Sequence, residues 1–289
     1  MVKLHIKRGE ESQFLYETTC AVELNELIPQ LVRIHNERLK IERLNYEMEE
    51  LAKHGITLPP NMQGLTEEQI SDLRLRDEWE DKCSPSGGYV ETKDPLTKRN
   101  GRAPNEKMAE VLNRTRQESK AMVSKDNVKA DVCLTMDKVK QALDQMKGAV
   151  MIVYPMGLPP HDPVRMELED QEDLSGTQAS LQVFEEQTAQ LWWAGKDLQR
   201  DKKLQDYIGK NEKTKIIAKL QKKGQGAPAR EQVISEEERK QMMLHAYSKQ
   251  EELKKLETCN DDNYLNSAWA DPNSLKRQFQ GVSDVKWRP

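Results

Sequence analysis

The chain has 289 residues, of which 36% are hydrophobic and 33% charged, with a formal net charge of −4. That balance favours one to three domains with a modest core and solvated helices over a large compact enzyme. Interleaved acids and bases give no overall attraction to nucleic acid or an anionic membrane, no run reaches the ~20 apolar residues of a membrane span, and the charges within residues 1–8 are wrong for a signal peptide.

Val2 to Lys7 alternates apolar and polar residues and predicts a strand. Gln13 to Thr18 predicts a second strand after a polar turn. Glu23 to Leu51 carries Leu24, Leu27, Ile28, Leu31, Ile34, Ile41, Leu44, Met48 and Leu51, the spacing of an amphipathic helix. Pro59-Pro60 ends that region. Thr66-Glu-Glu-Gln69 has the form of a capping box and opens a helix to about Asp81. Cys83 to Pro104 reads as a loop around one weak strand at Tyr89 to Thr92. Helices follow at about Asn105 to Lys125 and Met136 to Lys147, the second capped by Thr135.

From Gly148 the pattern predicts a ubiquitin-like β-grasp domain. Gly148-Ala-Val-Met-Ile-Val-Tyr154 is an apolar, β-branched run, and Val164 to Glu169 alternates as a half-buried strand does. Gln178 to Ala189 is the expected helix, followed by Leu191-Trp-Trp-Ala-Gly-Lys-Asp-Leu198, a strand, a tight turn and a short strand. Leu204 to Tyr207 forms a helical turn, and Thr214 to Leu220 closes the sheet. This order predicts a core of Val150, Ile152, Leu181, Leu191, Trp193, Leu204 and Ile217. Beyond a Gly/Pro linker, Ser235-Glu-Glu-Glu238 caps a charged helix to Thr258. The remaining tail carries Trp269, Leu275, Phe279 and Trp287, which either dock on the body or bind a partner.

The expected class is therefore α+β, divided into four regions. Residues 1–58 form a ββα unit with a long helix, and 59–147 a helical region with a flexible loop at 83–104. Residues 148–224 form the β-grasp domain, and 225–289 the linker, the helix at 235–258 and the aromatic tail. The N-terminal ββα order repeats the logic of the later domain, either as a second, incomplete grasp unit or as a common motif met twice.

No catalytic, cofactor or metal site emerges from the residues. The five histidines and four cysteines lack ligand spacing, no Walker-type phosphate loop occurs, and the paired carboxylates lie on polar helix faces. The cysteine spacing fits neither a disulfide framework nor a zinc knuckle and points to a reducing compartment. On the Leu191–Trp193 strand, Trp192 faces away from its two neighbours. It is either an interface anchor or packed within the chain. After Leu220 the chain runs on through Gly224-Gln-Gly226, so it offers no terminal Gly-Gly for conjugation to other proteins.

Several long stretches carry a family resemblance. They include Pro59-Pro-Asn-Met-Gln-Gly-Leu65, Ala103-Pro-Asn-Glu-Lys-Met108, Gly148 to Pro160, Asp173-Leu-Ser-Gly-Thr-Gln178, Gly209 to Ala218, Gly224 to Arg230, Tyr264-Leu-Asn-Ser267 and Lys286-Trp-Arg-Pro289. Over essentially its whole length the chain resembles the Kurly family of cilia- and flagella-associated proteins. The resemblance implies a non-enzymatic factor for assembly of axonemal dynein arms and for cilium positioning in the plane of the epithelium. It implies a place in the cytoplasm and at the basal body, and a MYND-type zinc-finger dynein assembly factor as partner. The alternative within the same biology is a structural axonemal or basal-body component. The candidate contact residues are Trp192, Trp269, Leu275, Phe279 and Trp287.

Overall fold

A computed structural model describes residues 1–229 and 236–258, and the chain divides after Arg230 into two units. The first unit opens with the hairpin β1 (Val2–Arg8) and β2 (Glu11–Thr18), then α1 (Leu24–His54). Val2, Leu4 and Ile6 are fully buried on one face of β1, as alternation requires. The β1–β2 register shifts between Ile6 and Lys7, so that Ile6 pairs with Phe14 and Lys7 with Ser12. Gln13 is thus the extra residue of a bulge, and its carbonyl leaves the ladder. Arg38 of α1, fully buried, answers it: Nη1 donates to Gln13 O at 3.0 Å and to Gln13 Oε1 at 2.9 Å.

Gly55 ends α1 at φ 79°, and a Cβ there would lie 2.2 Å from the Arg102 carbonyl oxygen, so no other residue fits. The predicted helix from Thr66 is cut to α2 (Glu67–Asp72). The capping box forms as read. The stop is a Schellman arrangement: Arg74 adopts φ 50°, and the amides of Leu75 and Arg74 bond to the Ile70 and Ser71 carbonyls. The loop beyond contributes the two-stranded ribbon β3 (Tyr89–Glu91) and β4 (Arg102–Pro104). Buried Arg99 ties it to α1, with Nη1 donating to Gly55 O at 2.8 Å and Nη2 to Glu47 Oε2 at 2.8 Å.

α3 (Glu106–Val123) and α4 (Met136–Val153) form a hairpin against the second half of α1. Asn45 and Arg116 lock α1 to α3: the Asn45 amide donates to Arg116 O at 2.7 Å, and Arg116 Nη1 donates back to Asn45 Oδ1 at 3.1 Å. The strand predicted at Gly148 to Tyr154 is the last part of α4 and its cap. Val139, Ala142, Met146, Ala149, Val150 and Val153 are buried at helical spacing, and Ile152 points to solvent. A short apolar run reads alike as strand or buried helix, and here the helix already capped by Thr135 simply continues. The strand predicted at Val164 to Glu169 is also helical, as α5 (Pro163–Leu168). Asp162 caps it by accepting from Val164 N at 2.9 Å, with Pro163 at the first helical position.

The contiguous β-grasp expected over 148–224 is therefore not formed. α6 (Gln178–Gln182) is shorter than its expected extent, and Leu181 is exposed. The chain then leaves the helix because Asn36 of α1 captures Phe184, donating to its carbonyl at 2.7 Å and accepting from its amide at 3.0 Å. The last elements match expectation closely: β5 (Ala189–Trp193), β6 (Lys196–Asp197), α7 (Gln205–Ile208) and β7 (Lys215–Lys222). Ala194 and Gly195 both take positive φ, 48° and 78°, the left-handed pair that a two-residue hairpin needs.

What closes the sheet is the N-terminal hairpin. The strand order is β2-β1-β7-β5-β6, with β1 and β7 parallel and the other pairs antiparallel. Leu4 stands beside Ile216, Ile6 beside Ala218, and Leu191 beside Leu220. These residues are buried in one core with Leu24, Leu27, Ile28 and Leu31 of α1. A second seam joins the same halves of the chain: Leu24 N donates to Lys202 O, Leu204 N to Val22 O, and Gln205 N to Cys20 O. Trp193 packs against this core, whereas Ile217 lies on the opposite face, 38% exposed.

The second unit contains α8 (Glu236–Thr258), where the predicted charged helix falls. Its Met242, Met243, Leu244, Tyr247 and Leu253 are exposed. The capping position Ser235 and the tail residues Trp269, Leu275, Phe279 and Trp287 lie outside the described residues.

Candidate functional site

Two surfaces of the first unit are candidates. The first is the outer face of the five-stranded sheet. On it Trp192 stands opposite Lys219 of β7 and Asp197 of β6. Trp192 is half-buried, and its indole N–H is enclosed with no acceptor among the described residues. Lys219 is buried too, with Nζ donating to Ala229 O at 2.8 Å, so the chain after β7 covers part of this face. Asp131 covers another part, its carboxylate bound by Lys3 and by Lys215, the latter at 2.9 Å. Between these covers Ile217 remains accessible, one residue pair from Trp192 on the same face.

The second surface contains none of the contact residues that the sequence predicts. An open groove of about 470 Å³ runs between the second half of α1, α5 and residues 172–182. Its floor holds Glu167 of α5, only 4% exposed. Oε1 lies 3.6 Å from Arg43 Nε, and Oε2 has no hydrogen-bond partner among the described residues. Arg43 is itself occupied by Glu172, donating through Nε at 3.0 Å and Nη2 at 2.7 Å. Burial, with the Glu172 carboxylate nearby, pushes the Glu167 pKa up to about 8 despite Arg43. Reading residues 164–169 as a strand placed Glu167 outward. The Asp162-Pro163 pair was the available signal, since a helix starting there sets Val164 and Glu167 on one inward face.

The pH dependence of stability follows from Glu167 and from buried His35, whose pKa is lowered to about 4 by burial and by Arg38. Between the ordinary value of 4.5 and about 8, the folded chain keeps a Glu167 proton that the unfolded chain has released. Stability therefore falls as pH rises across that window. His35 acts oppositely between about 4 and 6.5, where the unfolded chain binds the extra proton and rising pH stabilises. The two slopes oppose each other up to pH 6.5, and above it the His35 contribution has ended while that of Glu167 continues. From pH 6.5 to 8 the wild type is expected to lose ~2 kcal/mol relative to Glu167→Gln, read from urea midpoints. Parallel curves for the two proteins would remove Glu167 as the cause.

Neither surface assembles a recognisable reaction centre. Among the described residues no group of three or more His, Cys, Asp or Glu is placed to hold a metal ion. Cys20, Cys83 and Cys133 are free thiols, and burial pushes Cys83 and Cys133 upward, away from the thiolate that a nucleophile needs. Among the described residues no helix is long and apolar enough to cross a membrane.

By its architecture the chain is an α+β protein with a mixed five-stranded sheet, to which the two ends of the first unit contribute strands. By its sequence it belongs to the family of cilia- and flagella-associated protein 298. That family's model matches residues 189–285, which take in β5 to β7 and three of the four tail candidates. The protein of that name from Danio rerio is 64% identical over 289 residues, and the one from Homo sapiens is 64% identical, each covering 100% of both chains. The Drosophila melanogaster protein is 51% identical over 288 residues, covering 100% of this chain and 99% of its own. No solved structure matches the chain significantly.

Proposed function

We propose that this chain is a non-enzymatic adaptor that supports cytoplasmic preassembly of axonemal dynein arms and the positioning of cilia in the plane of the epithelium. The observation that carries this reading is full-length membership in a cilia- and flagella-associated family. In the proposal, the sheet and α1 act as a ubiquitin-like grasp whose last three strands, β5 to β7, arrive only after the long helical insertion. The order β2-β1-β7-β5-β6 with a parallel central pair supports that comparison. The adaptor works in the cytoplasm and at the basal body. It engages a MYND-type zinc-finger dynein assembly factor through the outer sheet face around Trp192 and Ile217, and through the tail residues Trp269, Leu275, Phe279 and Trp287.

Rescue of ciliary motility in depleted cells tests the whole reading, with dynein-arm subunits followed in cytosol and axoneme. Failure of those subunits to assemble in the cytosol is the expected defect, and normal arms in depleted cells would end the proposal. Trp192→Ala tests the sheet face. The variant is expected to keep its melting temperature and to bind the assembly factor weaker by ~2 kcal/mol or more. A large fall in melting temperature would show that the enclosed indole serves packing instead. Truncation after Thr258 should abolish co-precipitation with assembly partners. The second reading, a structural axonemal or basal-body part, predicts retention in axonemes extracted with high salt, where an assembly factor leaves in the detergent-soluble pool.

A further inference from the structure

The groove beside α1 is rich in carboxylates. Glu42, Glu167, Glu172 and Asp173 line it, with Tyr46 and Leu174 supplying apolar wall. The carboxylates do not share a fate. Glu42 is held by Arg38 and Glu172 by Arg43, at 2.8 and 2.7 Å. Asp173 is exposed at the rim, its carboxylate bonded locally by Ser175, whose amide donates to Oδ1 at 2.9 Å. Glu167, on the floor, holds Oε2 enclosed with no hydrogen-bond partner among the described residues. A buried polar atom left in that condition is unfavourable, and a ligand donating to it would recover that cost. Tyr46, 61% exposed, is a large ring above the same opening.

A cationic side chain satisfies both carboxylates at once. It donates to Glu167 Oε2 at the floor and balances Asp173 at the rim, while a neighbouring apolar residue lies against Tyr46 and Leu174. An anion is disfavoured because Arg43, the groove's own cation, is already held by a bidentate carboxylate. We propose that this groove is a docking site for a partner peptide segment that presents an Arg or Lys side chain next to an apolar residue. The site is separate from the outer sheet face and does not depend on the ciliary reading of function.

Binding is coupled to protonation. The groups facing Glu167 are Arg43, Glu47 and Lys40 of α1 and Glu172 beyond α5. A cation prefers the ionised carboxylate, so occupancy must draw a proton from Glu167 wherever that group is still protonated. Affinity for an arginine peptide therefore rises with pH through the titration of Glu167.

The test uses the full chain and fluorescein-labelled eight-residue peptides that pair one Arg with one Leu, with matched peptides carrying Gln or Glu for the Arg. Anisotropy titrations should show the Arg peptide binding ~10-fold or more tighter than the Gln peptide, with the Glu peptide weakest. Tyr46→Ala and Asp173→Asn, both at exposed positions, should each weaken it severalfold without loss of fold. Raising the pH from 7 to 9 should tighten binding by roughly tenfold in the wild type and leave Glu167→Gln unchanged. Equal affinity for all three peptides, indifference to the Tyr46 and Asp173 variants, or no binding below ~1 mM would each overturn the proposal. So would a homodimer that Tyr46→Ala dissolves, since a second copy would then be the occupant.

Discussion

A polypeptide of residues 148–224, made without the rest of the chain, is expected to show no cooperative unfolding transition. The span contains β5, β6 and β7, yet the inner faces of these strands have nothing to pack against. Ile216, Ala218 and Leu220 of β7 are buried against a core built from Val2, Leu4 and Ile6 of β1 and the first half of α1. Without β1 the parallel edge of β7 is bare, and the apolar face of a three-stranded sheet meets water. Leu204 loses its partner carbonyl at Val22 and its enclosure at the same time. The expected effect is loss of the entire unfolding free energy, on the order of 5–15 kcal/mol for a domain. Residues 1–229 should restore a single sharp transition. A dispersed amide spectrum from 148–224 alone would show that the N-terminal hairpin is dispensable.

Replacing Arg38 with Ala is expected to destabilise the first unit by about 3–5 kcal/mol, as when one partner of a buried charged network is removed. The side chain is fully buried, and it serves an acceptor that the bulge has displaced from the sheet. Without it, the carbonyl and side-chain oxygens of Gln13 stay inside unpaired, and a cavity opens between β2 and α1. Glu42 loses the Nη2 donor at 2.8 Å but is partly solvated, so that pair contributes the smaller share. Arg38→Met refills the volume and should recover part of the loss. Arg38→Lys should recover less than its charge suggests, because one ammonium cannot span Gln13 and Glu42 as a fork does. Urea titrations of the three variants and of Gln13→Ala separate these contributions. A loss below ~1 kcal/mol in Arg38→Ala would mean the bulge finds other partners.

The sequence alone determined what depends on near neighbours. Alternation located β1 and β2, helical spacing located α1, and the Ala194-Gly195 turn set the β5–β6 hairpin before α7 and β7. Thr66 and Thr135 capped their helices as their spacing requires. The face on which Trp192 stands was legible as well, because strand period settles it. Its burial was not legible, since the cover over Lys219 comes from residues beyond the strand.

Tertiary structure decided which strands meet. Nothing within β7 names β1 as its neighbour. Any buried, β-branched strand would satisfy its pattern, and the nearer run at Gly148 to Tyr154 looked equally suitable. That run was already committed to α4, whose buried stripe extends through Val153, so the parallel edge of β7 was left for β1. The groove has the same origin. Glu167 becomes a buried carboxyl only because α5 is a helix packed on α1, and the two carboxylates that help burial raise its pKa come from different segments, Glu47 from α1 and Glu172 from the chain after α5. Periodicity encodes how a segment divides its faces between core and water. Partner choice depends on which apolar faces remain uncovered once every other segment has packed, and that is a property of the whole chain.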